Sequence, residues 1–451
     1  MADFPPNDER RVVVTGLGTM TPLGTGIEPL WDGLLASQSG IRTVQAFDAS
    51  GLGSSLGGEV PSFKMGDFVP KSYRKSTKVM ARDISLAVAA AYEAVKDAGL
   101  NTKCLIDRGE ADGAPNVDST RFGANIGAGL LCADLQELAG ALATAVDENG
   151  TFSLEKWGCE GMENLTPLWL LKFLPNMLGC HVTIVHDCQA ASNTITCADA
   201  SSHLAIGEAF RIIARGDMDV CICGGAESKI NPMGMARQQL LGRMVTGHED
   251  RPERACRPFA ADRAGLVPAE GAGLLVLEAL EHARGRGARI YAEVAGFGAS
   301  SNTHDWLTPH PEGQGIAQAV RSALNDARVS ADDVELIGTF GPGTVEHDAS
   351  EYRGLEAVFG ERCRVVPAIA TKGAVGHNGA GSGAIDVAVT AMSLYQNTVP
   401  PSLNTENPDP QATLGFVTNG PVDSRARTAL IVGYALHGGQ NAALVIKRHQ
   451  E

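Results

Sequence analysis

Strand-like and helix-like patterns of apolar residues alternate along most of the chain, which favours α/β layers. Arg11-Val-Val-Val-Thr15 reads as a strand running into Gly16-Leu-Gly-Thr-Met-Thr-Pro-Leu-Gly24. Ile84 to Ala98 reads as a long Ala-rich amphipathic helix ending at Gly99. Val182 to Val185 and Asn193 to Thr196 read as short strands, Ser201 to Arg215 as a helix, and Val220 to Cys223 as a buried strand before Gly224-Gly225. A second series starts near Ile290, where Tyr291-Ala-Glu-Val-Ala-Gly-Phe-Gly-Ala299 echoes the opening strand and its glycines. It continues with a helix over Gly313–Arg328, strands over Val334–Thr339 and Val365–Ala370, and a helix over Gly383–Tyr395. Strands at Ala429–Gly433 and Ala442–Ile446 close it around Gly438-Gly439. Two series of similar order imply an internally duplicated fold. Residues 101–180 fit less well and read as a cap or insertion.

The length, 451 residues, suits two or three units rather than one compact domain. Abundant glycine (53) and sparse aromatics (5%) suit an α/β body with many close backbone approaches. A formal net charge of −15 makes general nucleic-acid binding a poor reading. No run of about 18 apolar residues is present, so no membrane span is expected. The opening Met1-Ala-Asp-Phe-Pro-Pro lacks the basic and apolar regions of a signal peptide. The ten cysteines, including the Cys221/Cys223 pair, show no metal-ligand or disulfide-framework spacing. A cytoplasmic protein with reduced, buried thiols and no metal is expected.

Six segments stand in order along the chain. They are Arg11 to Gly18 followed by Thr21-Pro-Leu-Gly24, Gly216 to Glu227, Cys256 to Gly273, Thr371-Lys-Gly-Ala-Val-Gly-His377, Val399 to Asp409, and Gly438-Gly-Gln-Asn441. Together they resemble the condensing enzymes of fatty-acid and polyketide synthesis, the thiolase-fold β-ketoacyl-acyl-carrier-protein synthases. The nearest subtype is the elongating synthase II with its polyketide relatives. The resemblance covers nearly the whole chain except 101–180. It implies a five-layered αβαβα fold made of two duplicated halves, here 10–275 and 276–451. It also implies a dimer, acyl carrier protein as partner, and an active site of one cysteine, two histidines and a lysine. No cofactor of its own is implied, because the phosphopantetheine arm belongs to the carrier protein.

Counting back without a gap from Gly216-Asp217 puts the family's nucleophile position on Asp199, within Thr194-Ile-Thr-Cys-Ala-Asp-Ala-Ser-Ser-His203. Condensation needs a thiolate at a helix N-terminus. A carboxylate is a weaker nucleophile, and its acyl product would be an anhydride. Cys197, two residues upstream, is the rival thiol. Asp199 itself reads as a helix N-cap with an anion-site role, able to pair with Lys372 or His377. The family's first histidine aligns with Phe340, in Ile337-Gly-Thr-Phe-Gly-Pro-Gly-Thr344, and a phenylalanine neither donates nor accepts a proton. His347, seven residues on, reads as a loop residue. Lys372 and His377 match the family's lysine and second histidine. At the substrate gate, Ala435 and His437 replace two phenylalanines beside Gly438 and Gly439.

Lys71, Arg74, Lys75, Lys78 and Arg82 recur at three- and four-residue spacing. On a helix they would form one basic stripe, either a solvated face or a dock for an acidic carrier protein. Arg237, Arg243, Arg251 and Arg254 form a looser second group. Three readings follow from the resemblance. One is a non-condensing subunit, like a polyketide chain-length factor, dimerised with an active ketosynthase or with itself. A second is a malonyl-carrier decarboxylase or acyl-thioester hydrolase built on His377 and Lys372. The third is an active synthase using Cys197 or another thiol.

Overall fold

A computed structural model describes residues 10–450. Ten strands fall into two sets of five. The first set is β1 (Val12–Thr21), β2 (Phe122–Ala128), β3 (Ser192–Ile195), β4 (Val220–Ser228) and β5 (Glu270–Ala279). The second is β6 (Ala292–Ser301), β7 (Leu336–Gly338), β8 (Pro367–Ile369), β9 (Thr428–Tyr434) and β10 (Gln440–Lys447). The spatial orders are β3-β2-β4-β5-β1 and β8-β7-β9-β10-β6, the same path walked twice. In each set the first three strands are parallel and the last two join antiparallel. The sets meet where Val12–Val14 of β1 pair antiparallel with Ala292–Val294 of β6.

Six helices complete the layers: α1 (Arg82–Asp97), α2 (Met177–His186), α3 (Ser201–Ala214), α4 (Gln314–Asp326), α5 (Val345–Phe359) and α6 (Ser382–Gln396). α3 and α6 lie in the middle, sharing one apolar cluster with the inner faces of both sets, among them Leu275, Leu277, Ile431 and Leu444. The alternate residues Leu274, Val276 and Ile126 face outward onto α1 and α2. Leu430, Val432 and Val445 likewise face α4 and α5. A sheet buried on both faces reads as continuous apolar runs, which is why these strands were legible. The result is the thiolase-like ketosynthase fold.

The echo between the two series has a steric cause. A Cβ on Gly16 or Gly18 of β1 would lie 2.2 or 2.1 Å from the Ala94 or Ala90 carbonyl of α1. A Cβ on Gly296 or Gly298 of β6 would lie 2.4 or 2.2 Å from the Ala323 or Ala319 carbonyl of α4. Glycine on the strand and alanine on the helix are the same close approach made twice.

Three expectations need correction. Val182 to Val185 is helical, within α2; its buried Leu178, Val182 and Val185 lie at helical spacing, and a short β-branched run does not by itself distinguish strand from helix. Residues 101–180 are not all insertion, because β2 is a fully buried core strand. Its sequence, Phe-Gly-Ala-Asn-Ile-Gly-Ala, is too poor in β-formers to announce itself. The boundary at 275/276 falls inside β5, and the repeat changes over between the helix Leu280–Gly285 and β6. Among the described residues no helix is long and apolar enough to cross a membrane.

Candidate functional site

The site gathers at the carboxyl ends of the parallel strands of both sets, where open α/β sheets place their binding loops. After β3 the chain turns through Thr196–Ala200 straight into α3. Ala198 is held at φ 48°, a left-handed conformation that favours glycine. Ser201 braces the turn, its Oγ accepting the Cys197 N–H at 2.8 Å and donating to the Ala198 carbonyl at 2.6 Å. A non-glycine residue kept in this region at about 1–3 kcal/mol is a mark of functional sites.

Asp199 follows that strained residue and is 2% exposed. His377 Nε2 lies 2.8 Å from its Oδ1, and the Leu436 N–H donates to its Oδ2 at 3.0 Å. Lys229 Nζ is 3.7 Å from Oδ1 and donates to Glu227 Oε1 at 2.8 Å. Glu227 Oε2 in turn accepts the Ala380 N–H at 2.8 Å. Burial alone would push the Asp199 carboxyl up. The Lys229 charge and the His377 hydrogen bond override that and hold it well below the usual carboxylate range. Burial lowers the His377 imidazole, with Asp199 opposing. An ionised carboxylate only accepts hydrogen bonds, so the proton sits on His377 Nε2. His377 Nδ1 is then a bare acceptor, buried without a hydrogen-bond partner.

The Phe340 ring meets His377 edge-on, centroids 5.5 Å apart at 88°. Lys372 Nζ stands 4.4 Å from the same ring centroid, a cation–π contact, and is ion-paired to Asp386. Glu351 fixes the loop that carries Phe340. It accepts the Phe340 and Gly341 N–H groups at 2.7 and 2.8 Å and the Tyr434 hydroxyl at 2.9 Å. Chemically, the centre holds a stable anion rather than a proton acceptor. A carboxylate so far below neutrality is a poor base, and both of its oxygens are engaged.

Residues 9–283 match the N-terminal domain of the β-ketoacyl synthases, and residues 291–406 match their C-terminal domain. The chain belongs to the β-ketoacyl synthase family. A 3-oxoacyl-[acyl-carrier-protein] synthase 2 of Synechocystis is 34% identical over 448 residues, 98% of this chain and 99% of that protein. Among solved structures, the ishigamide ketosynthase/chain length factor is 29% identical with a TM-score of 0.82, covering 98% of this chain and 100% of that one. A type II polyketide acyl-carrier protein in complex with its ketosynthase, bound to the hexaketide, matches at 26% identity and a TM-score of 0.82, with coverage of 98% and 100%.

Within this ketosynthase fold, Asp199, His377 and Phe340 converge as the motifs suggested. Other expectations change. Asp199 makes no N-cap hydrogen bond to α3; its acceptors serve the second half of the chain instead. Lys372 pairs with Asp386 and not with Asp199. His347 is no loop residue: it lies in the first turn of α5, buried, between Thr344 Oγ1 at 2.9 Å and the Leu436 carbonyl at 3.3 Å. Ala435 is buried, with its N–H on the Gln440 carbonyl at 2.8 Å. His437 stands half-buried beside the site, and Gly438 and Gly439 turn the chain at φ 84° and 83°.

The basic stripe does not form on one helix. Lys71, Arg74, Lys75 and Lys78 are exposed on short 3₁₀ turns, and only Arg82 is in α1. Arg82 turns inward, its guanidinium on Glu270 and over the Phe63 ring. In the second group, Arg254 pairs with Glu406 and Arg251 with Asp250, while Arg243 is buried. Arg243 donates to the Leu436 and Leu307 carbonyls at 2.6 and 2.8 Å, anchoring the loop that reaches Asp199.

Lys229 and the Leu436 N–H escaped the motif reading. The main-chain donor leaves no mark in a sequence. Lys229 does leave one: Glu227 and Lys229 stand two apart where the otherwise apolar β4 ends, so they project on one side. Charge at that point of a buried strand signals a polar centre. Among the described residues no cluster of His, Cys, Asp and Glu is suited to hold a metal.

Proposed function

We propose that this chain is a non-condensing subunit of the chain-length-factor type, working in fatty-acid or polyketide synthesis beside an active ketosynthase and an acyl carrier protein. The reading rests on the Asp199 carboxylate, held ionised and engaged by both oxygens, at the residue the motifs align with the family's nucleophile. Phe340, where the family has its first histidine, supports it, because neither group can move the protons that condensation requires. His377 and Lys372 are engaged with Asp199 and Asp386, which speaks against a decarboxylase built on them. The solved relatives include a ketosynthase with its chain length factor and a ketosynthase with its carrier protein, and both partners are carried over on that likeness.

Incubation with an acyl-carrier thioester or a cerulenin-type probe, followed by mass spectrometry, tests the reading. No adduct on Cys197 or any other thiol is expected. Co-expression with an active ketosynthase should give a heterodimer. A labelled cysteine, or condensation by the purified chain alone, refutes the proposal.

A further inference from the structure

Glu227 and Lys229 reach the Asp199 centre from the end of β4, and Ser228 between them points to the opposite face of the sheet. There a second buried polar cluster lies against the first turn of α1. The Ser228 N–H donates to Asp83 Oδ1 at 2.9 Å, and the Ser228 hydroxyl donates to Glu270 Oε2 at 3.0 Å. Glu270 also accepts the Val60 N–H at 3.1 Å and two Arg82 N–H groups at 2.6 and 2.9 Å. Asp83, Glu227 and Glu270 are each no more than 5% exposed.

The cations facing this cluster are already engaged. Arg82 is paired with Glu270, and Lys229 with Glu227 and Asp199. On the open side, a cavity of about 430 Å³ is lined by Asp83 together with Arg82, Cys132, Asp134, Glu137 and Lys172. Lys172 is ion-paired to Glu137, Asp134 accepts the Gln136 N–H, and Cys132 is a neutral thiol, pushed up to about 11 by burial. Asp83 is left with main-chain donors and, among the described residues, no ion pair. Carboxylates gathered out of water without a cation for each cannot all be ionised. Burial, with Glu227 and Glu270 adding to it, outweighs the Ser228 and Asp83 N–H groups and raises the Asp83 carboxyl to about 7.

We infer that Asp83 is a proton-sensitive brace under the end of β4, tight while its carboxyl is neutral and loosened once it ionises beside Glu227 and Glu270, and that it thereby sets how firmly Lys229 is presented to Asp199. The proton leaves to water through the cavity, and only the carboxyl O–H bond changes. An acid raised in the folded state holds its proton more tightly there than in the unfolded chain, where the value is about 3.9. The stability drawn from that proton is complete below the unfolded value and is lost as the pH rises to about 7.

The test compares the full-length wild type with Asp83→Asn, which keeps an oxygen for the Ser228 N–H but carries no charge. In urea titrations the unfolding constant of wild type should rise against that of the variant by up to about tenfold per pH unit between about pH 5 and 7, and the ratio should level off above about pH 8. At about pH 8 the amides of Ser228, Lys229 and Ile230 should exchange with deuterium about tenfold faster in wild type than in the variant, and at about pH 5.5 equally fast. Asp83→Ser, smaller and also neutral, should repeat both results and serves where the asparagine variant does not fold. A ratio that does not move with pH shows that Asp83 does not titrate there. Equal exchange at the higher pH shows that its charge does not reach the strand end. Either result overturns the inference and leaves the proposed function standing.

Discussion

In the first set of strands, β2 leads to Gly129, β3 to Asp199, and β4 to Glu227 and Lys229. In the second set the strands at the same places in the order lead to Phe340, Lys372 and Leu436. The path of the chain is common, so the same three ends converge in each half. The chemistry placed there differs. The first half brings two carboxylates and a lysine. The second brings an aromatic wall, the His377 imidazole and main-chain donors, since His377 and the Leu436 N–H bond Asp199 and the Ala380 N–H bonds Glu227. Neither half could bury its share of the centre alone, because charges removed from water need partners. A duplicated scaffold thus decides where side chains meet, and the individual residues decide what the meeting can do.

Removing the cation of the first half should break this division most severely. Lys229→Met leaves Asp199 and Glu227 buried without their counter-ion, which should cost about 3–5 kcal/mol. The loss is read from the shift of the urea midpoint. Adding Asp199→Asn to that variant should recover part of it, since the two residues share one network; strict additivity would mean that they do not interact.

On the other side of the centre, Phe340→Leu keeps an apolar wall but removes the ring under Lys372. A loss of up to about 2 kcal/mol is expected, the value of a desolvated cation–π contact. An unchanged thermal midpoint would show that Lys372 is held by Asp386 alone.

The acid limb of stability sharpens the role of Asp199. Its folded carboxyl titrates below the unfolded value of about 3.9, so its contribution is complete above that pH and lost as the pH falls further. The gap between wild type and Asp199→Asn in urea midpoint should be constant from about pH 5 to 7, where the carboxylate is ionised in both states, and should close below about pH 4. A gap that varies across neutrality would assign the titration to another group.

The smallest effect belongs to the exposed turns outside the centre. Reversing the charge of Lys71, Lys75 and Lys78 together should alter stability by less than about 0.5 kcal/mol per site. If these residues dock a carrier protein, the same variant should weaken carrier binding in low salt and show little difference in high salt, where exposed charges are screened. Equal binding by the two proteins in low salt would make these lysines a solvated face.

Much of the fold was legible because buried strands and amphipathic helices write their periods into the chain. For β9 and β10 and the helices α1, α3, α4 and α6 the pattern gives limits close to the observed ones, whereas for β1 and β4 it gives only the start, since these strands run on to Thr21 and Ser228. β2 was missed because glycine and alanine fill it, and α2 was misread because a short run of Val, Thr and Ile suits either period. The basic stripe failed for a related reason. Its spacing is helical, but the segment forms two separate 3₁₀ turns, Lys71–Tyr73 and Ser76–Val79, and goes extended at Met80 before α1 begins.

The sequence by itself determined the family and the duplication, because motifs and periodicity are local and ordered along the chain. Tertiary structure alone decided the partners. Asp199 lies 178 residues from His377 and 237 from Leu436, and it reaches them rather than Lys372 or the N-terminus of its own helix. Those choices depend on which strand ends converge and on where burial leaves a charge in need of a donor. No spacing along the chain encodes that.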